Sequence, residues 1–104
     1  MAQTKVETLM AVYVDQMADC NPNPRWRWKQ ACHMYADSTA ELHAFAINIG
    51  LKRCWFQDHH GLPHYDLTCG MRVRAVENGA IPTDKQHLVN FMRKYRKSKK
   101  NGDL

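Results

Sequence analysis

Several motifs with strong chemical meaning are missing from this 104-residue chain. Cys20, Cys32, Cys54 and Cys69 are widely and irregularly spaced, with no C-x-x-C pair, so neither a zinc ribbon nor a dithiol redox motif is written here. No H-E-x-x-H occurs, and there is no helix-turn-helix, zinc-finger or RNA-recognition signature. No apolar run nears the roughly 18 residues needed to span a bilayer, and Met1 to Val14 lacks the apolar stretch and cleavage site of a signal peptide. Internal repeats are absent. These absences predict a soluble, intracellular protein with reduced thiols that serve as small buried hydrophobes. The alternative for the thiols is a Cys/His metal site assembled in space.

What is present suits one hydrophobic core. About 100 residues make a single ordinary domain, and 44% hydrophobic residues with three Trp, four Tyr and three Phe supply enough surface to bury. The net charge is +5, but Arg93, Lys94, Arg96, Lys97, Lys99 and Lys100 hold six of the fifteen basic groups. Without them nine basic groups face ten acidic ones, so residues 1–92 read as a near-neutral domain and residues 93–104 as a basic helix end and tail. Such a tail is attracted to polyanions. It is equally a solvated helix terminus favoured by the helix dipole.

Strands and helices alternate along the chain. Met10 to Val14 is a short β-branched run ending at Asp15, and Ala31 to Ala36 and Lys52 to Gln57 read as further strands, with a loop over Asp19 to Pro24. Ser38 and Glu41 have capping-box spacing. Leu42, Phe45, Ala46 and Ile49 then follow a helical period that Gly50 ends. A second helix is expected over Cys69 to Asn78, closed by Gly79. A third begins at a Thr83–Gln86 capping box and carries Leu88, Phe91, Met92 and Tyr95 on one face. The pattern predicts an α/β fold with a small mixed or parallel sheet and about three helices.

Candidate chemistry centres on His64-Tyr65-Asp66, which follows Trp55-Phe56-Gln57 and the loop-like Asp58 to Pro63. Asp15, His33, His64 and Asp66 have the atom types that bind divalent metals. They lack a spacing motif, and His64 and Asp66 share a face only if their segment is extended. A metal-free alternative has Arg72, near a helix start, holding phosphate while His33 or His64 transfers a proton. His43 borders an apolar stripe, where packing against a neighbour competes with a role in the site. His59 and His60 read as solvated loop residues. Arg25-Trp26-Arg27-Trp28-Lys29 alternates either as a plain strand or as a stacking surface for bases. With Arg93, Lys94, Arg96 and Lys97 it forms the nucleic-acid alternative.

The blocks Val12-Tyr13-Val14-Asp15-x-Met17, Cys32-His33-Met34-x-Ala36-Asp37, Glu41 to Ala46, Ile49 to Arg53, Trp55-Phe56-Gln57, His64-Tyr65-Asp66-Leu67 and Arg72-x-Arg74-Ala75-Val76-x-x-Gly79-Ala80 carry a resemblance. In this order they resemble a small uncharacterised family, a domain of unknown function carried by many tailed bacteriophages and some bacteria, over about residues 12 to 82. The resemblance implies a phage or prophage origin and a cytoplasmic location in a bacterial host. It implies that Asp15, His33, His43, Gln57, His64, Tyr65, Asp66 and Arg72 belong to the shared pattern, and it brings no established activity. His59, His60, Cys20, Cys54, Cys69 and the tail are local to this chain.

Together these readings predict a polar pocket of His33, Gln57, His64, Tyr65, Asp66 and Arg72, with Asp15 or His43 nearby. His33, His64 and Asp66 are its catalytic candidates, and Gln57, Tyr65, Arg72 and His43 its ligand-binding ones. The expected ligand is a phosphate-bearing small molecule such as a nucleotide, bound or hydrolysed. The alternatives are a metal-dependent hydrolase or nuclease, with a divalent metal as cofactor, and a nucleic-acid-binding accessory protein.

Overall fold

In a computed structural model, which describes residues 11–59 and 61–102, the side chains along the central strand alternate between two faces of one sheet. That strand, β3 (Gln30–Ala36), pairs antiparallel with β1 (Val12–Val14) and β5 (Leu62–Leu67). The hairpin strand β4 (Gln57–His59) flanks β5, and β6 (Ile81–Pro82) runs parallel to β1. The order β4-β5-β3-β1-β6 is therefore a mixed sheet, while the short β2 (Ala18–Asp19) pairs with the start of β3. Helices α1 (Thr39–Asn48), α2 (Cys69–Glu77) and α3 (Lys85–Gly102) complete the α/β fold. Met1 to Met10, His60, Asp103 and Leu104 lie outside the described residues, as do the side chains of His59, Ser98, Lys99, Lys100 and Asn101.

One face of the sheet makes the apolar core. Val12, Val14, Cys32, Met34, Ala36, Tyr65 and Leu67 meet Leu42 and Ala46 of α1, its C-cap Ile49, and Ala75 of α2. Strand periodicity sends the intervening residues, Tyr13, His33, Tyr35, His64 and Asp66, to the opposite face. There α3 crosses: Tyr35 packs its ring against Phe91 at 4.9 Å and against His87 at 5.9 Å. The stem of Arg96 passes over Gly61, whose backbone is left-handed (φ 76°). A side chain at that glycine would be strained by its backbone and tight against Arg96.

Helix ends follow local chemistry. Ser38 Oγ accepts the Glu41 N–H at 3.2 Å, and Gly50, at φ 99°, lets the Leu51 N–H return to the Ala46 carbonyl at 2.8 Å. Ser38→Ala is expected to cost about 1 kcal/mol, read as a lower urea midpoint at unchanged slope. Thr68 caps α2 in the same manner, with its hydroxyl accepting the Met71 N–H. At α3 the cap is one residue later than the Thr83–Gln86 spacing predicts: Asp84 Oδ1 accepts the His87 N–H at 2.9 Å. Thr83 is engaged elsewhere, its hydroxyl donating to the Val14 carbonyl at 3.2 Å.

The structure departs from four further expectations. Lys52 to Gln57 is not a strand: Trp55 and Phe56 donate back to the carbonyls of Lys52 and Arg53, closing a single 3-10 turn that tucks Phe56 against His43 and Tyr65. Asp58 and His59 pair with Pro63 and Leu62 as strands rather than forming a loop, so His64-Tyr65-Asp66 lies within a strand. Arg25 to Lys29 does not alternate as a strand, because Asn23 Oδ1 accepts the Arg25 and Trp26 N–H groups and reverses the chain. Trp26 is half-buried and donates its Nε1–H to the Gln30 carbonyl, while Trp28 is 44% exposed beneath Arg27. All four thiols are free, but only Cys32 is buried. Cys20 is half-buried and Cys54 and Cys69 are exposed.

Candidate metal centre

The register of β3 against β5 sets His33 directly opposite Asp66, and that of β4 against β5 sets Gln57 opposite His64. Because β5 is extended, His64 and Asp66 share a face, and it is the face that carries His33. Each imidazole is oriented by a hydrogen bond at Nδ1. His33 Nδ1–H donates to Asp15 Oδ2 at 2.8 Å, and His64 Nδ1–H donates to the Leu62 carbonyl at 2.7 Å. Both acceptors lack protons, so both rings must carry theirs on Nδ1. In the neutral rings Nε2 is then the basic, metal-binding nitrogen.

His33, His64 and Asp66 each offer one ligand atom within 4.8 Å of the other two. His64 Nε2 stands 3.3 Å from Asp66 Oδ1, and the two imidazoles meet edge to face at 5.1 Å. A neutral His64 thus aims a lone pair at a carboxylate oxygen. Two acceptors at this distance attract only when a proton or a cation lies between them.

Outer partners hold all three groups. Asp15, 7% exposed, uses its second oxygen to accept the His33 backbone N–H at 2.6 Å. Gln57 Nε2 donates to Asp66 Oδ2 at 2.5 Å, which leaves Oδ1 toward His64. Carboxylate, carbonyl and amide partners behind the ligands are the usual support of a protein metal site. Asp15, itself a candidate ligand by atom type, is such a support: both of its oxygens serve His33. The bond to Asp15 outweighs burial and raises His33 above the usual imidazole range. Burial opposes ionisation of Asp66, but His64, Gln57 and His33 together hold it below the usual carboxylate range.

Arg72, in the first turn of α2, donates Nε–H to the Asp15 backbone carbonyl at 2.8 Å. Its two amino nitrogens make no hydrogen bond among the described residues. Arg72 lines a shallow, largely open groove of about 490 Å³ with Gln16, Ile81, Pro82, Thr83, Asp84 and His87. The groove lies at the carboxyl ends of the parallel pair β1 and β6, and is linked to the triad through Arg72, which holds the Asp15 carbonyl while the Asp15 side chain holds His33.

Tyr65 and His43 do not join the pocket. Tyr65 alternates to the core face, fully buried, and its hydroxyl meets His43 Nδ1 at 2.9 Å beside Phe56. Burial, with a smaller contribution from Arg53, lowers His43 from the usual imidazole range. The pair is a satisfied hydrogen bond under α1. Arg93, Lys94, Arg96 and Lys97 are exposed on α3, away from its packed residues Leu88, Phe91, Met92 and Tyr95.

His87 went unseen in the sequence, where it precedes an apolar stripe. Its signal was its place four residues before Phe91, on the helix face that meets the sheet.

Residues 12–95 match a family model described as a protein of unknown function (DUF4031). No curated protein and no solved structure matches the chain.

Proposed function

Because the chain belongs to this family of unknown function, we propose its activity from the site itself: a divalent-metal-dependent hydrolase of phosphate esters, with His33, His64 and Asp66 as metal ligands. One observation carries the reading: two imidazoles with Nδ1 already committed, and a carboxylate oxygen, converge within 4.8 Å. Two histidines and one carboxylate leave coordination positions open, as catalytic zinc and non-haem iron sites do. A divalent cation so held supplies Lewis acidity and a nucleophilic water near neutral pH.

The chain's own groups supply the rest. Asp15 and the Leu62 carbonyl fix the tautomers, and Gln57 turns one Asp66 oxygen inward. Arg72, bonded to the backbone carbonyl of the residue that orients His33, is the nearby cation that favours an anionic ester over oxygen chemistry. A phage or prophage origin and a cytoplasmic location in a bacterial host belong to the same proposal, through the resemblance of the residue blocks. No described helix is long and apolar enough to cross a membrane.

The test is hydrolysis of bis(p-nitrophenyl) phosphate with Zn²⁺ or Mn²⁺ added to chelator-treated protein. Turnover that a chelator stops and metal restores, with p-nitrophenyl acetate left uncleaved, supports the reading. Binding of neither metal overturns it.

A further inference from the structure

Behind the groove that Arg72 lines, one chain of polar contacts joins Tyr35, Thr83 and His87. Tyr35 Oη lies 2.8 Å from Thr83 Oγ1 and 2.8 Å from His87 Nδ1, and Thr83 Oγ1 lies 3.2 Å from the Val14 carbonyl. Three contacts need three protons, and the carbonyl has none to give. The one arrangement that satisfies all three contacts has Thr83 donating to Val14, Tyr35 to Thr83, and His87 Nδ1–H to Tyr35. Burial, foremost among the influences on it, holds the Tyr35 phenol above its usual range, consistent with a phenol that keeps its proton. The chain leaves Nε2 of a neutral His87 as a hydrogen-bond acceptor on the ring edge away from Tyr35.

The walls of the cavity thus differ in chemistry. Arg72 offers a cation, His87 Nε2 and the Asp84 carboxylate offer acceptors, and Ile81, 47% exposed, and Pro82 offer an apolar strip. An inorganic anion would use the first of these alone. A groove of about 490 Å³ has room for a small molecule, whose sites are usually roughly 300–1,000 Å³, and being shallow it leaves one side of the ligand in solvent. A ligand that meets all three walls carries a phosphate, hydroxyl donors and a flat apolar body in sequence.

We propose that this cavity is the substrate site of the triad and that it takes a nucleoside 5′-phosphate group. The phosphate lies toward Arg72 and the metal ligands, the sugar hydroxyls donate to His87 Nε2 and Asp84, and the base lies on Ile81 and Pro82. The assignment as a substrate site rests on the hydrolase reading, whereas binding by the cavity can be measured without it. His87 is a binding residue here, held by Tyr35 as Asp15 holds His33.

The experiment is calorimetric titration of the full chain, stripped of metal and then loaded with Zn²⁺, with adenosine 5′-monophosphate, ribose 5-phosphate and inorganic phosphate. Affinity is expected to rise in the order phosphate, ribose 5-phosphate, adenosine 5′-monophosphate. His87→Asn places its amide where Nδ1 was, keeping a partner for Tyr35 while deleting Nε2. Together with Ile81→Glu, at an exposed edge position, it is expected to weaken adenosine 5′-monophosphate about tenfold and to leave Zn²⁺ affinity unchanged. Nucleotide binding no tighter than phosphate, or binding indifferent to both variants, overturns the proposal. Zn²⁺ binding and bis(p-nitrophenyl) phosphate turnover without nucleotide binding overturn it while sparing the hydrolase reading. Nucleotide binding without any Zn²⁺ site keeps the ligand assignment and removes its role as a substrate site.

Discussion

His64→Ala is expected to weaken Zn²⁺ binding well beyond the 10–100-fold typical of losing an outer partner, and to abolish phosphate-ester turnover. His33→Ala and Asp66→Ala should match it, because each removes one of only three protein ligands. Gln57→Leu provides the graded comparison. It deletes the amide that holds Asp66 Oδ2 and should fall within the 10–100-fold class. Titration of each variant with Zn²⁺, with far-UV circular dichroism confirming the fold, separates the two classes. Full metal affinity or full turnover in His64→Ala would eliminate its assigned role. His64 is almost wholly buried, so the spectrum matters: an intact sheet with no metal is the result that identifies a ligand.

The second large effect is on pH. His33 is raised above the usual imidazole range by the Asp15 carboxylate, so its proton must leave before Nε2 can accept a metal. Zn²⁺ affinity should therefore fall about tenfold for each pH unit below the His33 titration, with one proton released per metal bound above that of other groups. Stability of the metal-free protein runs the other way. The contribution of the His33–Asp15 pair is fully present below the ordinary imidazole value near 6.5 and is lost as pH rises through the raised one. Asp66 acts at the acid end: its depressed value contributes stability above the ordinary carboxylate range that disappears as pH falls through the lowered value. Calorimetry of metal binding and thermal unfolding across pH 5 to 9 checks the neutral arm. Asp15→Asn should move the metal-binding profile to lower pH and lower its plateau. A profile unmoved by that change would mean that Asp15 does not govern His33.

Much of this architecture was legible wherever a local rule and the tertiary environment agreed. Ser38, the Leu42-Phe45-Ala46-Ile49 stripe and Gly50 describe α1 because cap, buried face and left-handed stop all belong to that segment. Lys52 to Gln57 misled for the opposite reason. Trp55 and Phe56 favour strands, but Phe56 is drawn to the His43–Tyr65 pair and the backbone closes a turn, leaving Trp55 49% exposed. At the site, His33, His64, Asp66, Gln57 and Arg72 were named from residue type and resemblance. Their division of labour needed the register. Strict alternation along β5 separates Tyr65 from its neighbours and sends it to His43, a distinction that depends on knowing the segment is extended. The pairing of His33 with Asp66 joins residues 33 positions apart and has no local trace.

Asp15 sits where β1 has ended and β2 has not begun, and it fills that gap in the sheet with a side chain. Its own N–H donates to the His33 carbonyl, one carboxylate oxygen takes the His33 backbone N–H, and the other takes the His33 ring. The oxygens must therefore satisfy two donors from a carboxyl group only one methylene beyond the backbone. Asparagine would turn an NH₂ group toward one of them, and glutamate would carry both oxygens a methylene too far. The position favours aspartate for reasons of backbone pairing as much as of chemistry. An enzyme evolving here toward a different reaction could exchange Gln57 or the groove walls more readily than this carboxylate, because losing it opens the sheet as well as the site.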